Sequence, residues 1–84
     1  MKVTVYTADP CARCGKAKAL LTARGVEFEE LNLSKAPVGR AELARRTGLM
    51  TFPQITVGEH TVGGLDDLVA ADASGHLSEL LTPA

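Results

Sequence analysis

Two cysteines three positions apart, Cys11 and Cys14, stand where the chain changes its hydrophobic period. Ahead of them Val3-Thr4-Val5-Tyr6-Thr7 is β-branched and alternating, which predicts a strand. From about Ala12 a run rich in Ala, Leu, Lys and Arg predicts a helix. A thiol pair at a strand-to-helix junction has one common chemical use, reversible disulfide formation. Cys11 falls at the helix N-terminus, where free backbone N–H groups and the positive end of the helix dipole stabilise a thiolate. Cys14, one turn further in, is placed to attack a mixed disulfide formed on Cys11 and release the bound partner.

The rest of the chain continues the alternation of strand and helix. Residues 2–7 read as the first strand and residues 12–24 as a helix with Ala17, Leu20, Leu21 and the stem of Arg24 on one face, closed by Gly25. Residues 26–33, with Val26, Phe28 and Leu31, read as a second strand, and residues 34–37 as a loop. Residues 38–47 predict a helix with Leu43 and Ala44 inward, stopped by Gly48. Residues 54–57 read as a third strand, joined through Gly58-Glu59 to residues 60–62 in a hairpin. Gly63-Gly64 breaks the chain before a helix that starts near Leu65 or Asp66, carries Leu68, Val69 and Ala73, and ends by Gly75. A last turn or two over residues 77–81 folds back on the core. The order β-α-β-α-β-β-α predicts an α/β fold, a small four-stranded mixed sheet flanked by helices on both faces. Its early pairing is parallel and its late pairing an antiparallel hairpin.

With 84 residues, one domain spanning 1–84 is expected, with stability on the order of 5 kcal/mol. A net charge of −1 gives no reason to expect nucleic acid or an anionic membrane as partner. No apolar run approaches the roughly 20 residues needed to span a bilayer. Met1-Lys2-Val3 leads straight into strand-like sequence without a signal peptide's apolar segment, so a cytoplasmic location is expected. There structural disulfides are rare and a cysteine pair serves catalysis, sensing or metal binding. Zinc would need two more ligands, and the chain has no third cysteine. His60 and His76 are sixteen residues apart, off zinc-finger spacing, and both read as surface residues unsuited to act as a base for Cys11. Redox use is the favoured reading of the pair, and no metal is expected.

Other features have two readings each. Arg13, between the cysteines, either favours a Cys11 thiolate by its charge or is a solvated helix-start arginine. Lys16 and Lys18 read as the wet face of the helix. Phe52-Pro53 at a strand entry, with Thr51 ahead of it, reads from the residues alone as an ordinary trans proline. Gly63-Gly64-Leu65-Asp66-Asp67 is either a hairpin exit with an aspartate capping the next helix, or a backbone cradle for a small carboxylate with an aspartate for an amine.

Taken together, a Cys-x-x-Cys after the first strand, Thr51-Phe52-Pro53-Gln54-Ile55 before the third, Gly63-Gly64-Leu65-Asp66-Asp67 after the fourth and Lys18-Ala19-Leu20-Leu21 in the first helix resemble a glutaredoxin over nearly the whole chain. The resemblance implies a thioredoxin-like fold and thiol–disulfide exchange in electron transport and cell redox homeostasis, with Cys11 as nucleophile and Cys14 resolving. Glutathione is implied as co-substrate, with no tightly bound cofactor. It further implies a cis Pro53 that presents the Phe52 backbone to glutathione or a client, with Thr51 beside it. Gly64, Leu65 and Asp66 would hold the γ-glutamyl end, and Arg40, eight residues before Gly48, the glycyl carboxylate. Two positions depart from the family: Ala12-Arg13 stands for the usual Pro-Tyr, and Ala8 for a lysine three residues before the nucleophile. Arg13 would restore part of that charge, opposed by Asp9.

The expected function is therefore reduction of protein disulfides or glutathione mixed disulfides by a monomer whose partners are glutathione and disulfide-containing clients. Clients would be recognised by the surface around Arg13, Phe52 and Leu65. Three alternatives stand beside it: a redoxin reduced by thioredoxin reductase, which the missing lysine favours; a non-enzymatic iron–sulfur carrier; and a redox-sensing module.

Overall fold

Val3 and Val5 point to one side of the first strand and Thr4 and Tyr6 to the other, and the molecule is layered on that alternation. In the computed structural model, which describes residues 2–82, the elements run β1 (Val3–Thr7), α1 (Ala12–Ala23), β2 (Glu29–Asn32), α2 (Pro37–Thr47), β3 (Gln54–Val57), β4 (His60–Gly63), α3 (Leu65–Ser74) and α4 (His76–Leu81). Met1, Pro83 and Ala84 of the expected 1–84 unit lie outside the described residues. The sheet order is β2-β1-β3-β4. β1 pairs with β2 in parallel, Val5 opposite Glu30, and with β3 antiparallel, Val5 opposite Ile55. The β3–β4 hairpin closes the far edge, with an irregularity between Ile55 and Thr56.

The two faces of the sheet differ in chemistry. On one face Val3, Val5, Ile55 and Val57 form a single apolar cluster with Ala17 and Leu21 of α1, Leu65, Leu68 and Ala71 of α3, and Leu77 of α4. On the other lie Thr4, Tyr6, Gln54 and Thr56, and α2 meets them through polar contacts. The Arg46 guanidinium sits 6.0 Å from the centre of the Tyr6 ring. Thr47 Oγ1 is 2.8 Å from Gln54 Oε1, and Gln54 Nε2 donates to the Leu49 carbonyl at 3.0 Å. Leu43 is the buried residue of α2. The helix starts at Pro37, one residue earlier than its apolar pattern suggests, because proline at the first helical position forfeits no bond. It ends at Gly48, whose φ of 76° is the left-handed cap position glycine favours.

Two sequence expectations are corrected. The second strand is not residues 26–33 but Glu29–Asn32, an edge strand exposed along its whole length, Leu31 included. Val26 and Phe28 pack against the apolar cluster from the connection before the strand. In α3 the inward stripe is Leu65, Leu68 and Ala71, three residues apart, which leaves Val69 and Ala73 outside. The extra helix α4 is the expected turn at residues 77–81, packed on α3. No helix among the described residues is long and apolar enough to cross a membrane.

Candidate active site

Cys11 takes the N-cap position of α1 in extended conformation, and its sulfur accepts a hydrogen bond from the Cys14 N–H at 3.0 Å. The two cysteines form a disulfide, their Cα atoms 5.3 Å apart. They are not equivalent. Cys11 is half-buried, whereas Cys14, one turn into the helix, is 3% exposed beneath it. A reagent meets Cys11 first, and the sulfur it meets lies at the N-terminus of α1 with the Cys14 N–H directed at it.

Three sequence motifs distant along the chain meet here. Arg13 reaches from the first turn of α1 to the first turn of α3, where its Nη2 lies 3.0 Å from Asp66 Oδ1. Asp66 follows Gly64, and a Cβ built on Gly64 would lie 3.6 Å from the Pro53 carbonyl oxygen, so the start of α3 runs beside the entry to β3. The Phe52–Pro53 peptide is cis, as the resemblance implied and the residues alone did not. Phe52 then shares with Arg40, Leu49 and Met50 a cleft of about 260 Å³ between α2 and the β3 entry. Cys11, Cys14, Arg13, Asp66, Gly64 and Pro53 are thus linked in sequence around one end of the sheet, with Phe52 and Arg40 at its margin.

Some of these residues have local duties that sequence reading did not foresee. Arg40 Nη1 donates to the Leu33 and Ser34 carbonyls at 2.5 and 2.8 Å, fastening the β2–α2 connection to α2. Leu65 is buried in the apolar cluster, so its side chain packs inward beneath the start of α3. Thr51 is exposed. Asp67, not Asp66, caps α3: its carboxylate accepts from the Gly64 N–H at 3.0 Å, leaving Asp66 free for Arg13.

In the loop before Cys11, Asp9 bonds to the end of β2 and the connection that follows it. Its carboxylate accepts from Asn32 Nδ2 at 2.9 Å and its backbone N–H donates to Ser34 Oγ at 2.6 Å, while Asn32 Oδ1 accepts from the Ser34 N–H. This three-residue tie fastens the loop before Cys11 to the end of β2, and sequence reading missed it. The local signal was Asn32 two residues before Ser34, the spacing of an Asx turn. The Asp9–Pro10 peptide is also cis. Beside the end of β1, Glu30 accepts from Lys18 Nζ at 3.1 Å and from the Thr7 hydroxyl at 2.9 Å. The Lys18 ammonium first, and then that hydroxyl, hold the Glu30 carboxyl below its usual range. His60 and His76 lie on the surface, their rings edge-to-face at 5.9 Å. Among the described residues no group of three or more His, Cys, Asp or Glu side chains is disposed to hold a metal ion.

Comparison with known proteins gives one answer. The family model for glutaredoxin matches residues 3–62. A glutaredoxin of Pseudomonas aeruginosa is 48% identical over 80 residues, covering 95% of each chain. Glutaredoxin 3 of Escherichia coli strain K12 is 44% identical over 79 residues, covering 94% of this chain and 95% of its own. In three dimensions the chain resembles the solution structure of glutaredoxin from Brucella melitensis, with a TM-score of 0.85, 47% identity, and coverage of 96% of this chain and 88% of that one. A buckwheat glutaredoxin–glutathione complex superposes with a TM-score of 0.85 at 26% identity, over 94% of this chain and 74% of that one. The sheet order, the dithiol at the head of α1 and these likenesses agree on a thioredoxin-like fold, and the chain belongs to the glutaredoxin family of thiol–disulfide oxidoreductases.

Proposed function

We propose that this protein reduces protein disulfides or glutathione mixed disulfides with electrons from glutathione, working in the cytoplasm as a monomer. The observation that carries the reading is the inequality of the two thiols: a reachable sulfur at the N-cap of α1 with an N–H aimed at it, over a buried one. In the reduced protein the Cys11 thiolate attacks one sulfur of the target disulfide, and the other sulfur leaves as a thiolate that takes up a proton. Cys14 then gives up its proton and attacks the Cys11 sulfur, expelling the bound thiol and forming the Cys11–Cys14 disulfide. Two glutathione thiols return the pair to its reduced state and become glutathione disulfide. For a glutathione mixed disulfide, Cys11 alone suffices if a second glutathione removes the first.

Glutathione as the reductant is supported by the buckwheat relative solved as a glutathione complex and by the residues available for each end of the tripeptide. The cysteinyl main chain would pair with the backbone of Phe52, beside Thr51 and Pro53. The glycyl carboxylate would meet the Arg40 guanidinium, one nitrogen of which faces the β2–α2 connection. The γ-glutamyl end would lie on Gly64, the Leu65 backbone and Asp66. No tightly bound cofactor is required.

Ala8, which puts a methyl where the family carries a lysine, favours a second reading in which thioredoxin reductase supplies the electrons. The two are separated by oxidising the protein and following NADPH consumption with glutathione plus glutathione reductase, or with thioredoxin reductase. Reduction in the first arm alone is expected; reduction in the second alone would refute the role of glutathione while keeping the Cys11 chemistry.

A further inference from the structure

The residue that departs from the family motif, Arg13, meets the one carboxylate at the start of α3 that the helix cap does not use. The pair is 3.0 Å apart, and both side chains are open to water, 54% for Arg13 and 89% for Asp66. An ion pair so exposed is weakly held and readily exchanged. It lies in the first turn of the helix that Cys11 caps, on the side where the proposed γ-glutamyl end would rest. That end is an α-amino acid and carries an ammonium and a carboxylate on one carbon. A guanidinium beside a carboxylate is the complement of such a zwitterion. On its arrival one weak ion pair is replaced by two, ammonium on Asp66 and carboxylate on the guanidinium fork. A ligand with only one of the two charges breaks the pair and restores a single contact, so it gains nothing in exchange.

We propose that Arg13 is a specificity-determining residue which, with Asp66, reads the zwitterionic α-amino-acid end of the substrate thiol: Arg13 takes the carboxylate and Asp66 the ammonium. The inference rests on the glutathione reading above and adds to it a residue from this chain's own Cys-Ala-Arg-Cys motif.

The test compares three mixed disulfides made on one small cysteine peptide. Their leaving thiols are glutathione, its 4-aminobutyryl analogue lacking the α-carboxylate, and its glutaryl analogue lacking the α-ammonium. The readout is the ratio of kcat/KM values between substrates, which a general loss of activity or folding does not move. In the wild-type protein glutathione is preferred to the 4-aminobutyryl analogue by about five- to tenfold, and added salt erodes the preference. Arg13→Ala brings that ratio near one while the preference over the glutaryl analogue remains. Asp66→Asn does the reverse, and Arg13→Lys, which keeps a point charge, retains part of the carboxylate preference. An unchanged glutathione-to-aminobutyryl ratio in Arg13→Ala, or a rise in kcat/KM for glutathione, would overturn the proposal alone. Wild-type protein inert toward all three would overturn the glutathione reading, and this proposal with it.

Discussion

Arg24, the residue that closes α1, grips Asp72 in the last part of α3 with two hydrogen bonds, Nε to Oδ1 and Nη2 to Oδ2, each 2.9 Å. With Arg13 and Asp66 at the other end, the two helices are tied at both extremities over a shared apolar seam. The Arg24 fork is bidentate and Asp72 is the less exposed partner, so this tie is the firmer of the two. Asp72→Asn is expected to lower Tm by about 1–4 °C at neutral pH, read by differential scanning calorimetry, with a smaller fall in high salt.

The same bond sets an acid dependence. The Arg24 hydrogen bonds hold the Asp72 carboxyl below its ordinary value, and the Lys18 and Thr7 donors do so for Glu30. A carboxyl whose pKa is depressed by folding contributes stability that is present above its unfolded pKa and is lost as pH falls through its folded one. Urea midpoints should therefore hold steady from neutral pH down to the ordinary carboxylate range, near pH 4, and drop below it. The drop should be shallower in Asp72→Asn. In Lys18→Met the Glu30 carboxyl should titrate nearer its usual range by carbon NMR, because the ammonium that donates to it is gone.

Gly63 and Gly64 look interchangeable in sequence and are not. Gly63 has φ of 122°, and a Cβ there would run into the Asp67 carboxylate that caps α3. Gly64 has φ of −88° and room for a methyl 3.6 Å from the Pro53 carbonyl. Gly63→Ala is expected to destabilise by roughly 2–3 kcal/mol and Gly64→Ala by well under half of that, measured by urea unfolding. Equal costs would mean that neither the Gly63 backbone angle nor the contact with the Asp67 carboxylate governs this turn.

Cys11→Ser should abolish exchange on every disulfide substrate. Cys14→Ser should lose the ability to resolve protein disulfides while still removing glutathione from glutathionylated peptides. Mass spectrometry of the trapped adduct provides the check: a mixed disulfide on Cys11 accumulates in Cys14→Ser, and none forms in Cys11→Ser.

Much of this architecture was legible in local patterns. The alternation of Val3, Thr4, Val5 and Tyr6, the thiol spacing at the head of α1 and the two-residue turn at Gly58-Glu59 each state a period or a turn within a few residues. Apolar pattern overstates the edge strand because Val26 and Phe28 are apolar for the cluster they touch, not for strand pairing. Composition alone does not fix which residues of α3 face inward, because Val69 is as apolar as the Leu68 beside it. The site was legible as motifs but not as contacts. Arg13 and Asp66, Arg24 and Asp72, and Asp9 and Asn32 are joined across the tertiary fold, and no spacing rule links partners so far apart. The cis form of Pro53 came from likeness to a family, since the local residues favour trans.

The unequal faces of the sheet divide the molecule's cooperativity. α1 and α3 share one apolar cluster with the sheet, so they open only when most of the protein opens. α2 is fastened by one buried leucine and a set of bonds to Tyr6, Gln54 and its own connection, which water can replace one at a time. Amide hydrogen exchange should therefore separate two populations, with α2 exchanging through a low-energy local opening and α1 protected nearly to the global limit. The helix carrying Cys11 and Cys14 belongs to the slow population. The wall of the cleft opposite Phe52 belongs to the fast one and can breathe around an incoming peptide while the sulfur chemistry stays in register.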